Sequence, residues 1–543
     1  MPSIMTKSPD EKSLEVLDRT ASYAEGQILP HDAAPVTQRG IKSRHAQMMA
    51  IGGTIGTGLF VGVGEVLALA GPANILLAYI TICIIVYAII TATNEINTYL
   101  PFSGCSMAAY GTRFVSPSLG FAMGLLYWYS FGILVAYETT AAALVIDYWS
   151  NPVPLAVWIT LMLIVVLALN FFPVKVYGET EFWFASLKVF LIIGLLILSF
   201  VLFLGGGPDH TRLGFHYWKT PGAFNTYLVS GSTGRFCAFL YTLCYSVFSF
   251  NFAPELLVVA AGEMQNPRKN LPRAAKQYFY RLIIFYILGV LAIGVICPSN
   301  ASGLTKGTSV AASPWVIAIK RAGIHGLDSV VNAVIITSAW SSANSYLYMS
   351  SRTLYSLAKA GSAPKIFTRC TRHGVPYYAV LCSSLFSLLA YMDCSSGAST
   401  AFNWFVNITN TAGFTSWTCC GIIFLRFRAA CNAQGLKDLP YRSRLQPWMG
   451  IIATMACPIL LLCNGFEVFF HGHWSVSSFL TSYVGLFVFV GVYAGHRVMR
   501  WKDGWWIPAE QVDLVSGLEE VEALGVDDGD EVEKRGFWRK LWE

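Results

Sequence analysis

The chain has 543 residues, of which 55% are hydrophobic and 13% charged, against about 25% charged in an ordinary soluble domain. That balance excludes a soluble globular fold and places the chain in a bilayer. The formal charge of +6 does not call for a nucleic-acid partner, because the basic residues gather on alternate connections, as orientation in a membrane requires.

Apolar runs long enough to cross hydrocarbon as a helix, about 20 residues, fall at 46–70, 74–99, 118–148, 153–172, 182–204, 234–262, 278–297, 327–358, 376–392, 400–425, 449–470 and 474–498. They predict an all-α polytopic membrane protein with twelve transmembrane helices. With both termini placed in the cytoplasm, the inner connections 268–281, 352–372 and 426–444 each carry five Lys or Arg. The short outer connections near 150–152, 393–399 and 471–473 carry none. The tail 1–44 is polar and has no cleavable signal, so the first span is expected to act as its own insertion signal. The stretch from Trp501 to the end, with its acidic patch Asp527 to Glu533, reads as a second cytoplasmic tail, partly disordered. The cysteines lie mostly in spans without paired spacing, so packing is their expected role, with a Cys297–Cys394 disulfide the less favoured alternative.

The first span reads AQMMAIGGTIGTGLF from Ala46, with Gly52, Gly53, Gly56 and Gly58 at its centre. Each glycine inside a helix costs roughly 0.5–1 kcal/mol relative to alanine, so the helix is expected to break there. Freed backbone groups are tolerated in a bilayer only when buried in protein or lining a wet cavity. A half-helix opening at that break offers N–H donors and the positive end of a dipole, which suits a carboxylate. Close packing of two helices through small residues is the alternative.

Further along, ionisable residues stand within apolar runs, each a functional candidate by default. Glu65 lies in span one, Glu95 near the inner end of span two, Glu138 in span three, Lys188 in span five and Glu255 in span six. A buried Lys and a buried Glu can both exchange protons near neutral pH, which makes Lys188 and Glu138 candidates for proton coupling; a structural ion pair or snorkelling is the alternative. Span six carries SFNFAPE from Ser249. Proline removes one helical hydrogen bond and clashes with the preceding turn, so carbonyls near Phe250 are expected to be free to meet an ammonium. A simple kink is the alternative. Span eight adds a polar face of Thr337, Ser338, Ser341, Ser342, Asn344 and Ser345. Since such hydroxyls can bond their own helical turn, only a subset is expected to face a cavity.

Four blocks in order, HAQMMAIGGTIGTGLFVG, PELLVVAAGEMQNPRKNLPRA, NAVIITSAWSSANSYLYMSSRTLYSLAKAGSAPK and FNWFVNITNTAGF, resemble the fungal amino acid permeases of the amino acid–polyamine–organocation superfamily. The APE of span six, SAWSSAN of span eight and FNWFVNIT of span ten look most like the proline permease branch. The resemblance implies a leucine-transporter-type fold: two inverted five-helix repeats, about 46–204 and 234–425, plus two extra helices at 449–498, all within a transporter domain of 45–500. It implies proton-coupled uptake at the plasma membrane. The carboxylate site would be the backbone of Thr54, Ile55, Gly56, Thr57 and Gly58. The amine site and aromatic gate would involve Phe248, Phe250, Asn251 and Ala253, with Trp404 as a second aromatic for the side chain and Glu138 nearby. Lys188 matches the lysine that stands where sodium-coupled relatives hold an ion, beside Ser341 and Ser342. One departure is Ala253, where many members carry glycine two residues before the span-six glutamate, which narrows the expected substrate range.

The expected partners are therefore a small amino acid, a proton and the lipid bilayer, with no cofactor, no metal and no catalytic residue. The competing readings are a γ-aminobutyrate or other amine permease of the same fold, a receptor-like amino acid sensor, and a membrane enzyme. The last lacks support because the histidines do not cluster with carboxylates at ligand spacing.

Overall fold

The computed structural model describes residues 48, 53, 55–102, 104–149, 152–250, 252–304, 313–519 and 521; for 396–407 and 410 it describes the backbone only. The tail 1–44 and the acidic patch 527–533 lie outside the described residues. Among the described residues all regular structure is helical. After a π-helical turn at Gly58–Gly62, α1 (Val63–Ala70) ends at Gly71, whose φ of 83° lets the chain reverse directly into α2 (Pro72–Tyr99). A short helix α3 (Met107–Phe114), absent from the sequence reading, precedes α4 (Pro117–Ile146). Ser106 and Ser116 cap them, each accepting a backbone N–H three residues on, as N-cap serines do. Then come α5 (Leu155–Asn170) and α6 (Val174–Leu204).

The second half opens with α7 (Gly231–Ser246), a 3-10 turn at Val247–Phe250 and α8 (Ala253–Gly262). α9 (Pro267–Ile296), a short α10 (Pro314–Arg321) and α11 (Leu327–Lys359) follow. α12 (Tyr377–Ser384) tightens into a 3-10 helix at Leu385–Cys394 before α13 (Ser396–Ala433), α14 (Trp448–Cys463) and α15 (Val476–Met499).

Among the described residues, seven helical stretches are long and apolar enough to cross a membrane: Pro72–Tyr99, Pro117–Ile146, Val174–Leu204, Gly231–Gly262, Pro267–Ile296, Tyr377–Cys394 and Val476–Met499. Gly58–Ala70, Leu155–Asn170 and Trp448–Cys463 are apolar but shorter. α11 and α13 have the length, 33 and 38 residues, but carry more polar side chains. For α11 the reason is its position: it packs along α4 and against α6 and α5, and is buried almost continuously from Ser341 to Ala358. A helix surrounded by protein has no need of apolar residues on every face. α6 is the opposite case. Its outer face carries Trp183, Phe190, Ile197 and Phe200, each more than half exposed, while Glu181, Ala185, Lys188, Ile192 and Ser199 are buried. This inside-out pattern suits lipid outside and a polar interior.

The cysteines at 297 and 394 are both free, so the disulfide alternative does not apply. The stretch after Trp501, read from sequence as partly disordered, is docked as far as it is described. Arg113 of α3 donates to the carbonyls of Asp513 (2.6 Å) and Ser516 (2.8 Å) and pairs with the Asp513 carboxylate at 3.0 Å. Tyr99 donates to the Leu514 carbonyl and Gln434 to that of Val512, while Val512 and Leu514 are buried. Partial burial would raise the Asp513 carboxyl, but backbone N–H groups of Ser516 and Val515 and the Arg113 charge outweigh it and hold it below the usual aspartate range. A lowered carboxyl contributes stability above its unfolded value and loses it as pH falls through the folded one. The contribution is small for so exposed a pair, about 0–1 kcal/mol. Arg113→Gln is therefore expected to expose the tail to limited proteolysis at neutral pH without unfolding the bundle. The parent should lose the same protection only in acid, below the ordinary aspartate range.

Candidate functional site

At the first break, Ile55 and Gly56 form a bend and helix resumes at Thr57. Hydroxyls from the surrounding helices cover the carbonyls exposed there. Tyr346 donates to Gly53 O (3.0 Å), Ser338 to Ile55 O (3.2 Å) and Ser313 to Phe60 O (2.8 Å). On the donor side, the Thr57 hydroxyl reaches Glu138 Oε2 at 3.2 Å, and the Thr57 backbone N–H also bonds this carboxylate. Glycine is required at 56 by close approach: a Cβ there would stand 2.5 Å from Glu138 Oε1 and 3.2 Å from Ser342 Oγ.

The second break lies between α7 and α8. Phe252 is left-handed, φ 55°, a conformation uncommon outside glycine. Pro254 sits in the first turn of α8, where its missing N–H costs nothing, so it starts a helix rather than kinking one. The Ser249 carbonyl accepts from Tyr286 (2.6 Å), and the Ser249 hydroxyl meets that of Tyr79 at 2.9 Å. The two breaks touch, since a Cβ at Gly58 would lie 3.2 Å from Ser249 Oγ and 3.5 Å from Phe248. The aromatics are arranged differently from the sequence expectation. Phe250 is fully buried between Tyr79 and Tyr286, at centroid distances of 5.7 and 4.3 Å, so its ring is committed to α2 and α9. Phe248 packs on Tyr137 (5.2 Å) and Phe252 on Phe131 (4.8 Å), which places Phe252, a ring the sequence reading did not name, beside Phe248 on the α4 side of the break.

Lys188 is fully buried, donates to Ser342 Oγ at 3.0 Å, and faces two carboxylates, Glu138 and Glu181. Glu181 is also fully buried and accepts from Ser341 at 2.7 Å. The sequence reading missed it because the apolar run begins at 182. The available signal was spacing: seven residues before Lys188 is two turns on one helix face. Of the polar residues of span eight, Ser338, Ser341 and Ser342 serve the site, and Ser345 accepts from Tyr177 (3.3 Å). Asn344 accepts from Asn170 and Thr337 bonds its own turn at Val334.

The remaining carboxylates are placed elsewhere. Glu95 pairs with Arg428 at 2.7 Å and accepts from the Ser443 N–H, a structural tie. Glu255 accepts from Ser416 and Tyr127. Glu263, at the end of α8, pairs with Arg352 at 3.1 Å and accepts from Tyr348 at 2.6 Å. Glu65 is exposed on α1.

The structure thus brings Ile55, Gly56, Thr57, Gly58, Glu138, Phe248, Lys188, Ser341 and Ser342 into one neighbourhood, all buried except the half-buried Phe248. Ala253, also buried, opens α8. Thr54 and Asn251 lie outside the described residues, as does the side chain of Trp404. A groove of about 580 Å³ lies elsewhere, lined by Leu69, Phe224, Tyr227 and Arg235 among others, and does not reach Gly56.

The family model for amino acid permease matches residues 45–506. The chain is similar to a proline-specific permease of Emericella nidulans, 49% identical over 524 residues, 95% of this chain and 94% of the relative. It is 44% identical over 510 residues to a proline-specific permease of Saccharomyces cerevisiae, covering 92% and 80%. A lysine-specific permease of Saccharomyces cerevisiae is 38% identical over 539 residues, covering 97% and 86%.

The Gly56 contact makes a direct prediction. Gly56→Val forces the Glu138 carboxylate off Thr57, an overpacking of about 1–3 kcal/mol, enough to weaken ligand binding about tenfold or more. Binding by the purified, folded variant checks it.

Proposed function

The chain belongs to the amino acid permease family, and from that membership together with the site we propose that it imports an amino acid with a proton across the plasma membrane by alternating access. The observation that carries the proposal is the buried Lys188, held by Ser342 and facing Glu138 where Glu138 meets the broken first span. A transporter needs substrate and coupling ion to sense one another, and here the group that can carry the proton shares a carboxylate with the backbone that can carry the substrate.

The architecture proposed is twelve spans with both termini cytoplasmic: two inverted repeats at about 46–204 and 234–425, then two further helices at 449–498, within a transporter domain of 45–500 and flanked by tails. Helix within each of the predicted runs supports it, as do interruptions in the first helix of each half, where paired broken helices are expected.

Substrate would lie between the two breaks. Its carboxylate would take the donors of 54–58, replacing Glu138 on Thr57 and leaving Glu138 to Lys188. Its ammonium would meet backbone and hydroxyl oxygens near 248–253. The Ser249 carbonyl, already bonded to Tyr286, keeps a second lone pair that an ammonium can use. Side-chain contacts are assigned to Phe248, Phe252 and Phe131, with Trp404 as a further candidate. Proline is the proposed cargo, on two grounds: the proline-specific relatives are more similar than the lysine-specific one, and Lys188 with its two carboxylates, Glu138 and Glu181, forms a cluster that one added proton makes neutral, leaving a site suited to an uncharged side chain.

Two results test this reading. Lys188→Met is expected to reach the cell surface and still exchange amino acid, while gradient-driven accumulation falls about a hundredfold, the scale on which losing a proton-transfer group acts. Full accumulation by that variant at every pH would refute the proton role. Competition by the twenty amino acids and γ-aminobutyrate in cells lacking their own permeases should single out proline, whereas a γ-aminobutyrate preference would move the cargo and keep the fold.

A further inference from the structure

Lys188 is one cation facing two buried carboxylates. Glu138 approaches from α4, where Thr57 holds it, and Glu181 lies two turns earlier on α6 itself. Were all three ionised, the cluster would keep one uncompensated negative charge in the protein interior, which is expensive. Neutrality demands one proton beyond that on Lys188, and the transfer below starts with that proton on Glu138 and with Glu181 as the ionised carboxylate. The two carboxylates are not equivalent. Glu138 is tied to the broken span by Thr57. Glu181 accepts from Ser341 through Oε1, and its Oε2, buried, makes no hydrogen bond of standard geometry among the described residues. Ser345 and Asn344 are its near polar neighbours.

From Glu181 a row of polar contacts continues toward the start of α6. Tyr177 donates to Ser345 at 3.3 Å and stacks on Tyr348 at 4.5 Å between centroids. Tyr348 donates to Glu263 at 2.6 Å, and Glu263 pairs with Arg352 at 3.1 Å. Resting on the symport reading above, we infer that Glu181 accepts the proton from Lys188 and releases it toward the end of the bundle where α6 begins. In the transfer an N–H bond of the Lys188 ammonium breaks and its electron pair stays on Nζ. An O–H bond forms at Glu181 Oε2, and both groups become neutral. When the bundle opens at that end, the proton passes from Glu181 to entering water, which restores the carboxylate; Lys188 is recharged on the Glu138 side.

The titratable groups facing Glu181 are Lys188 and Tyr177 on its own helix. From α11 it meets the uncharged Ser341, Asn344 and Ser345, with Arg352 further along and held by Glu263 of α8; from α4, Glu138 reaches it through Lys188. A merely structural Glu181 would hold α6 against α11, and its loss would depress every transport mode alike.

The test is uptake of radiolabelled proline by cells carrying the full chain, across external pH, with and without a protonophore, beside exchange in cells preloaded with proline. Glu181→Gln is expected to keep exchange within about twofold of the parent while net accumulation falls about tenfold or more and stops rising as external pH is lowered. Glu181→Asp should recover accumulation in part, with a displaced pH profile. Ser341→Ala, which keeps the carboxylate, should show a milder form of the same split. Parental accumulation and pH profile in Glu181→Gln would overturn the assignment. So would equal loss of exchange and accumulation in both Glu181→Gln and Ser341→Ala. Parent uptake indifferent to the protonophore would instead overturn the symport reading, and this inference with it.

Discussion

A helix that stops inside hydrocarbon leaves main-chain groups that neither lipid nor its own next turn can satisfy, and the organisation of this protein follows from how those groups are covered. The first break is covered by hydroxyls from three sources, Tyr346 and Ser338 of α11 and Ser313 beside α10. Its donor side is covered by a carboxylate, Glu138. The second break is covered by Tyr286 of α9. Four elements distant in sequence are therefore held against two short interruptions, and the cover is made of hydroxyls and one carboxylate that can exchange partners. Under the proposed function, a site covered in this way closes without substrate and opens without stranding a polar group.

The same constraint explains the placement of charge. Once Glu138 caps the Thr57 donors, a compensating cation is needed nearby, and α6 supplies it by turning its polar residues inward and its aromatic ones to lipid. Lys188 then needs a further acceptor and a wall without apolar bulk, which the serines of α11 provide. The low hydropathy of α11 follows from that service.

The positions of the breaks were legible in the sequence because local chemistry marks them: clustered glycines in one apolar run, and in another a proline in the first turn of the helix that follows the break. Lys188 and Glu138 were legible as charges where charges are costly. What escaped was geometry that local pattern does not encode. Glu181 fell outside the apolar run by one position, although its spacing from Lys188 placed it on the same face. The Phe250 ring points to α2 and α9 because the left-handed turn at Phe252 reorients the chain just there. Thr54 and Asn251 have no described position to compare with the reading. The docking of the segment after Trp501 depends on partners some 400 residues away, such as Arg113 with Asp513, and composition alone made it look unstructured.

The most direct measurement of the central claim is a paired record of amino acid and proton entry into liposomes containing the purified chain. With neither a pH gradient nor a membrane potential imposed, added proline should acidify the interior, proton influx tracking proline influx in a fixed ratio. Proline entry with no accompanying proton movement would contradict the account.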